Sequence, residues 1–114
     1  MKFKMNGYSW NIEYMSAEDL KKEAKKENEE ECYYFGLTSF TKQKIYLNEE
    51  VSKERQKQTL YHELMHCYLG CYINDSEINF TEEEMCNVSA KSHDIIEGIA
   101  DDFFRTINTK RDVK

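Results

Sequence analysis

The segment from Tyr61 to Gly70 constrains this chain most, because it contains the pattern His-Glu-x-x-His at His62, Glu63 and His66. On an α-helix, residues four positions apart lie on one face about a turn apart, so the two imidazoles can bind the same metal ion. Glu63 lies about 100° around the helix from His62, where it is badly placed to be a further ligand. A carboxylate in that position suits the removal of a proton from metal-bound water.

The residues around this motif predict a buried central helix. Two apolar stripes flank the face that carries the histidines and Thr59: Leu60, Leu64, Cys67 and Cys71 in one, and Tyr61, Met65, Tyr68 and Tyr72 in the other. A helix that is apolar nearly all round is normally buried. Two histidines and a glutamate are costly in a small core without a partner, so metal binding is favoured over a purely structural role.

Composition argues against several functional classes. The chain has 114 residues, and we expect residues 1–114 to form a single domain. Acidic residues outnumber basic ones by 22 to 16 and no basic patch stands out, so no nucleic-acid partner is expected. No apolar run approaches the ~18 residues of a membrane span. The N-terminus lacks the apolar core of a signal peptide, which favours the cytoplasm.

The cysteines fit a reducing compartment better than a disulfide framework. The chain has four, at Cys32, Cys67, Cys71 and Cys86. Two of them fall on the apolar face of the predicted helix, and no secretion signal is present, so buried free thiols are favoured. Cys67 follows His66 directly, and we interpret it as a small core residue rather than a ligand.

The other segments predict an α+β fold, in which a small antiparallel sheet packs on two long helices. Residues 2–15 predict a β-hairpin with Asn6-Gly7 as its turn. The charged segment 17–31 predicts a solvated helix or a mobile loop. Residues 33–48 predict two further strands. The second of these, residues 43–48, is either a plain sheet strand or an edge strand that pairs with an extended peptide.

Two long helices complete the predicted fold. The first begins at Asn48 or Ser52, carries the histidines, and stops at Gly70. The second is capped by Thr81 and ends near Ile107. Its predicted inner face consists of Met85, Val88, Ser89, Ser92, Ile95, Ile96, Ile99 and Phe103.

The third ligand of the metal must come from elsewhere in the chain, because a catalytic zinc site usually has three protein ligands and one open position. The candidates are His93 and the acidic first turn of the last helix, which contains Glu82, Glu83 and Glu84. A glutamate is favoured because the cluster follows a loop long enough to reverse the chain. Its helix must also pack against the histidine helix. His93 lies about two turns further on, where a polar contact or a surface position is favoured.

The chain resembles the ImmA/IrrE-type metallopeptidases of the gluzincin group, particularly their short phage and mobile-element versions. The resemblance covers about residues 34–104, and rests on residues 44–47, 59–66 and 82–87. It implies a minimal zincin-like domain, with zinc bound by two histidines and by a glutamate at the start of the last helix.

The family pattern places a small residue three positions after the metal-binding glutamate and Asp, Asn or Glu four positions after it. Glu83 fits this pattern through Cys86 and Asn87, so the resemblance implies the ligand set His62, His66 and Glu83. Glu82 is the alternative, because it shares a helical stripe with Met85 and Ser89. Val88 and Ser89 depart from the family, which more often has a large aromatic residue followed by a small one.

The function that the resemblance implies is hydrolysis of peptide bonds by a cytoplasmic zinc endopeptidase, with Glu63 as the general base. Its partner would be a protein or peptide substrate, which in some relatives is a transcriptional repressor of a mobile element. The alternative is a zinc-stabilised protein-interaction module without turnover. Glu63 favours the enzyme, because a structural zinc site needs no such carboxylate. A weaker alternative is an α+β domain without metal.

Overall fold

The computed structural model describes residues 1–26, 35–72 and 82–112, excluding the side chains of residues 82–88, 90, 91 and 108–112. The elements in these segments are β1 (Lys2–Met5), β2 (Tyr8–Met15), α1 (Ala17–Lys26), β3 (Gly36–Ser39), β4 (Lys44–Asn48), α2 (Lys53–Tyr72) and α3 (Glu82–Asp112). The predicted α+β class is confirmed. The two long helices are α2 with 20 residues and α3 with 31, and α1 adds a shorter one of 10.

The predicted hairpin is formed by β1 and β2, which pair antiparallel. Asn6 and Gly7 occupy its turn with φ angles of 49° and 83°. Both angles lie in the left-handed region that a two-residue type I′ turn requires, and Asn and Gly tolerate that region best. Along β2, Trp10 and Ile12 alternate with more exposed residues and turn into the core.

The sheet is mixed rather than wholly antiparallel. Its strand order is β1-β2-β4-β3, in which β2 and β4 run parallel and β3 and β4 antiparallel. The position of β4 explains this order, because Ile45, Tyr46 and Leu47 are all almost fully buried. A continuous apolar run is typical of an inner strand that is covered on both faces. The interpretation of residues 43–48 as an edge strand is therefore wrong, and the plain sheet strand is the correct alternative. The edge strands of the described sheet are β1 and β3.

Helices cover both faces of this sheet. The helices α2 and α3 pack on one face around Ile12, Leu47, Leu64 and Phe103. On the other face, Leu20 and Ala24 of α1 pack against β3 and β4, as their spacing predicts. Segment 17–26 is thus a packed helix, although most of its side chains are charged.

An ion pair between a buried carboxylate and a partly exposed lysine also holds α1 in place. Glu23 is almost fully buried and accepts a hydrogen bond from Lys42 in the β3–β4 turn. This hydrogen bond, with the nearby charges of Lys42 and Lys26, holds the pKa of the Glu23 carboxyl below its ordinary value despite the opposing effect of burial.

The helix α2 begins after Ser52, whose hydroxyl accepts a hydrogen bond from the main-chain NH of Arg55 at 3.2 Å. It does not stop at Gly70 but continues through that residue to Tyr72. A Cβ atom at Gly70 would collide with the ring of Phe40. The glycine therefore permits a close approach rather than ending the helix.

The helix α3 extends to Asp112, past the predicted end. Its buried side chains are Ser92, Ile96, Ala100 and Phe103. Ile95 was predicted to face inward but is exposed, because it lies about 100° around the helix from buried Ile96. Ser89 was also predicted to face inward and is exposed, although it shares the stripe of Ile96. The predicted cap at Thr81 and the side chains of Met85 and Val88 lie outside the description. Within the described segments, no helix combines the length and the apolar character needed to cross a membrane.

Both described cysteine side chains are free thiols, as predicted. Cys67 is buried and Cys71 is half-buried. Burial raises the pKa of the Cys67 thiol well above its ordinary value, so this side chain is a core residue rather than a reactive nucleophile. The side chains of Cys32 and Cys86 lie outside the description.

Two glycine-to-alanine substitutions should have opposite effects on stability. At Gly36, a Cβ atom would lie 2.6 Å from Thr59 Cγ2 and 3.0 Å from the main-chain oxygen of Tyr46. We expect Gly36→Ala to lower the free energy of unfolding by about 1–3 kcal/mol through overpacking. At exposed Gly98 of α3 nothing lies within 4 Å, so Gly98→Ala should raise it by about 0.5–1 kcal/mol. Urea denaturation measures both, and equal effects would contradict the close approach at Gly36.

Candidate metal centre

The packing of α2 determines which of its side chains reach solvent. Leu60, Leu64 and Cys67 are fully buried in the core between the sheet and α3. His62 and His66 lie on another face of the same helix and are exposed. The predicted separation of the apolar stripe from the histidine face is therefore present in the structure.

The two histidines converge on one point. Their Nε2 atoms are 3.1 Å apart. Two nitrogen ligands at about 2.0–2.1 Å from a tetrahedral zinc ion would be about 3.3 Å apart. The observed separation therefore fits a single ion, and the helix fixes it without any contribution from the rest of the chain.

Glu63 is next to this pair but lies in a different environment, because only 7% of its surface is exposed. The hydroxyl of Thr38 in β3 is 3.3 Å from the main-chain oxygen of Glu63 and 3.4 Å from Oε2. Thr38 can donate a hydrogen bond to either atom. The metal-binding atoms of His62, Glu63 and His66 all lie within 4.8 Å of one another.

The edge strand β3 reaches the glutamate because it carries a glycine. A Cβ atom at Gly36 would lie 3.3 Å from Glu63 Cγ and would collide with Thr59. With a larger residue at this position, the strand would have to move away from α2. The sequence indicates a bend or bulge at this glycine, and its actual role is the close packing of strand on helix.

An open cleft of about 370 Å³ lies beside this group. It is lined by Phe35, Gly36, Arg55, Gln58, Thr59, His62 and Glu63. The cleft thus lies between the start of β3 and the N-terminal half of α2, and both His62 and Glu63 contribute to its wall. A substrate bound there would lie against the candidate metal group.

His93 belongs to a different part of the surface. Its Nε2 atom is 3.1 Å from Oε2 of Glu97 in the next turn of α3, and both side chains are substantially exposed. The metal-binding atoms of His93 group with those of Asp94 and Glu97 rather than with those of His62 and His66. This placement agrees with a surface position and does not favour His93 as the third ligand.

The predicted third ligand lies at the start of α3, which begins at Glu82. The acidic residues Glu82, Glu83 and Glu84 therefore occupy the first turn, as expected, and α3 packs against α2. Their side chains lie outside the description, so the choice of Glu83 over Glu82 stays a prediction.

Sequence reasoning missed three residues of the site. Thr38 and Phe35 come from the edge strand and the residue before it, and Arg55 comes from the first turn of α2. No local pattern marks them, since their role depends on β3 lying alongside α2. The order of strands in the sheet would have been needed to find them.

The fold and the His-Glu-His group together define a candidate metallopeptidase. The model of the Peptidase M78 family, described as the IrrE N-terminal-like domain, matches residues 12–92, and the chain belongs to this family. The resemblance to ImmA/IrrE-type metallopeptidases is thereby confirmed. No curated protein and no solved structure matches the chain significantly.

The geometry predicts that the chain binds about one zinc ion at the histidine pair. Added zinc should stabilise the fold by about 2.7 kcal/mol at a free concentration of 100 Kd, and a strong chelator should reverse this. Metal analysis and thermal unfolding measure these effects. His66→Ala should abolish zinc binding, whereas the control His93→Ala should leave it unchanged. Loss of the metal in His93→Ala alone would place the site on α3 instead.

Proposed function

We propose that the chain is a zinc-dependent peptidase in which His62, His66 and Glu83 bind the metal and Glu63 is the general base. The observation that carries this proposal is a nearly buried carboxylate beside two converging imidazoles, at the wall of an open cleft. We also propose that residues 1–114 form one such domain. Its family is a peptidase family, so its substrate is a protein or a peptide.

The donor set fits zinc. Two imidazole nitrogens and one carboxylate oxygen are ligands of catalytic zinc sites, which leave a fourth position open. When bound, zinc lowers the pKa of a coordinated water and polarises the carbonyl of the scissile bond. The neighbouring chain groups then have to move protons and hold the substrate.

Glu63 is placed to move those protons. As a general base it accepts a proton from the attacking water, and as a general acid it returns that proton to the leaving amine. Thr38 lies within hydrogen-bonding distance of Oε2 and can fix the orientation of the carboxylate. Gly36 packs beside its Cγ methylene group, since a Cβ atom there would lie 3.3 Å from Glu63 Cγ, and this contact limits the freedom of the side chain to turn away.

The strand β3 is placed to hold the substrate. Among the described segments, no strand pairs with its outer side, so its main-chain groups there are available to an extended peptide. A peptide paired with β3 would pass the cleft and bring its backbone close to Glu63. Pairing with an extended peptide, one of the two alternatives that the sequence offered for residues 43–48, is thus proposed for β3 instead.

The resemblance also supports a proposal about the biological setting. We propose a cytoplasmic endopeptidase of phage or mobile-element origin whose target is a transcriptional repressor. The support for this target class is the family resemblance, and the cleft itself favours any extended peptide.

The third ligand can be identified by substituting Glu82, Glu83 and Glu84 separately with alanine. We expect Glu83→Ala to lose most of the zinc affinity, because removal of one of three protein ligands weakens the site strongly. Competition with a chromogenic chelator measures the affinity of each variant. If Glu82→Ala is the damaging change, the ligand lies one residue earlier. If none of the three matters, the glutamate ligand is excluded.

Glu63→Gln separates a catalytic role from a structural one. It preserves the size of the side chain and removes its basicity, so zinc content and melting temperature should stay unchanged. Cleavage of a peptide substrate should fall by roughly two to four orders of magnitude, the usual size of a general-base contribution. The control His66→Ala should lose zinc and activity together.

The substrate for this experiment must first be found in a peptide library or among co-expressed repressors. Cleavage by Glu63→Gln at the wild-type rate would exclude Glu63 as the base. A zinc-loaded chain that binds a partner stably and cuts nothing would favour the interaction module.

A further inference from the structure

One cationic side chain lines the cleft. Arg55 lies four residues before Thr59 and seven before His62, spacings that place all three on the same side of α2. Arg55, Thr59 and His62 all contribute to the wall of the cleft, together with Glu63. Arg55 is therefore part of the same surface as the candidate metal group.

The guanidinium of Arg55 is held by an aromatic ring rather than by a carboxylate. Its Cζ atom lies 4.7 Å from the centroid of the Phe35 ring, a cation–π contact. Among the described residues, no carboxylate forms an ion pair with it. The ring fixes the plane of the guanidinium while leaving its NH groups available to a ligand.

The charge of Arg55 contrasts with the rest of the chain, which has a net charge of −6. The carboxyl group in the wall of the cleft belongs to Glu63, which is almost completely buried, whereas Arg55 is exposed. An incoming peptide therefore meets a positive group first. An arginine fork with free NH groups binds a carboxylate through two parallel hydrogen bonds, which a lysine cannot reproduce.

We propose that Arg55 is a specificity-determining residue that binds an acidic side chain of the peptide substrate. This inference rests on the proposed peptidase function, because it places the acidic residue near the bond that is cut. Seven helical residues span about 10 Å along the axis of α2. An extended peptide advances about 3.3 Å per residue. The acidic residue should therefore lie within about three positions of the scissile bond.

A peptide-binding assay tests this inference without requiring cleavage. The full-length chain carrying Glu63→Gln, with zinc added, is titrated with fluorescein-labelled heptapeptide pools whose N-termini are acetylated and C-termini amidated. Each pool has Glu or Gln fixed at one position, with uncharged residues at the others. We expect the Glu pool to bind about tenfold more tightly than the Gln pool at one position, as for a charge-assisted hydrogen bond.

Variants assign this preference to Arg55. Arg55→Gln should abolish the difference between the Glu and Gln pools, and Arg55→Lys should restore only part of it. Lys57→Gln removes the same charge from the same helix at an exposed position outside the cleft, and should leave the preference unchanged. Phe35→Leu removes the ring but not the charge, and should weaken the preference by loosening the guanidinium.

Three results would overturn the inference. The first is equal binding of the Glu and Gln pools. The second is loss of the preference in Lys57→Gln as well. That result would show that the overall positive charge of this part of α2, rather than Arg55 itself, attracts acidic peptides. The third concerns a parallel set of the same pools without the C-terminal amide: tighter binding only for peptides with a free C-terminal carboxylate would assign Arg55 to recognition of the peptide's C-terminus.

The peptidase proposal is tested separately by cleavage of the same pools with Glu63 intact. If the Glu preference is present and no pool is cut, the peptidase proposal fails and the acidic-peptide site stands. If pools are cut equally well with Glu or Gln at every position, the peptidase proposal stands and the role of Arg55 fails.

Discussion

The burial of one stripe of α2 against the sheet fixes the position of every described group in the candidate metal centre. Leu60 and Leu64 have no exposed surface, and burial of each contributes about 1.5–3 kcal/mol. A rotation of the helix that exposed them would lose this contribution. Because side-chain directions on a helix are rigidly related, the buried stripe also sets where His62 and His66 point. The core thus orients the site.

The histidine pair and its helix could be predicted from the sequence because they depend on contacts within one element. The spacing of His62 and His66 puts both imidazoles on one face in any α-helix. The order of the strands could not be predicted in the same way. Ile45, Tyr46 and Leu47 alternate too little to show which face is buried, and their burial on both sides becomes clear only when α1 and α2 are in place.

The two glycines that face other elements illustrate the same limit. In the sequence, Gly70 has the properties of a helix stop and Gly36 those of a bend. In the structure each glycine admits a side chain of another element, Phe40 at Gly70 and Thr59 at Gly36. A local pattern cannot distinguish a glycine that ends a helix from one that lets a neighbour approach. The first is needed for its backbone conformation and the second for the space it leaves, but the residue in the sequence is the same.

Contacts with α2 and its neighbours hold β3 at both of its ends, as the proposed pairing with a peptide would require. Gly36 packs against Thr59 at one end, Thr38 meets Glu63 in the middle, and the ring of Phe40 covers Gly70 just beyond the other end. The strand and the helix therefore run side by side in the same direction. The ring of Phe40 also meets Trp10 edge-on at 5.5 Å, which ties the β3–β4 turn to the core. In the proposed mode of binding, a peptide paired with β3 would lie against an edge strand that is packed on Glu63 through the same contacts that build the core.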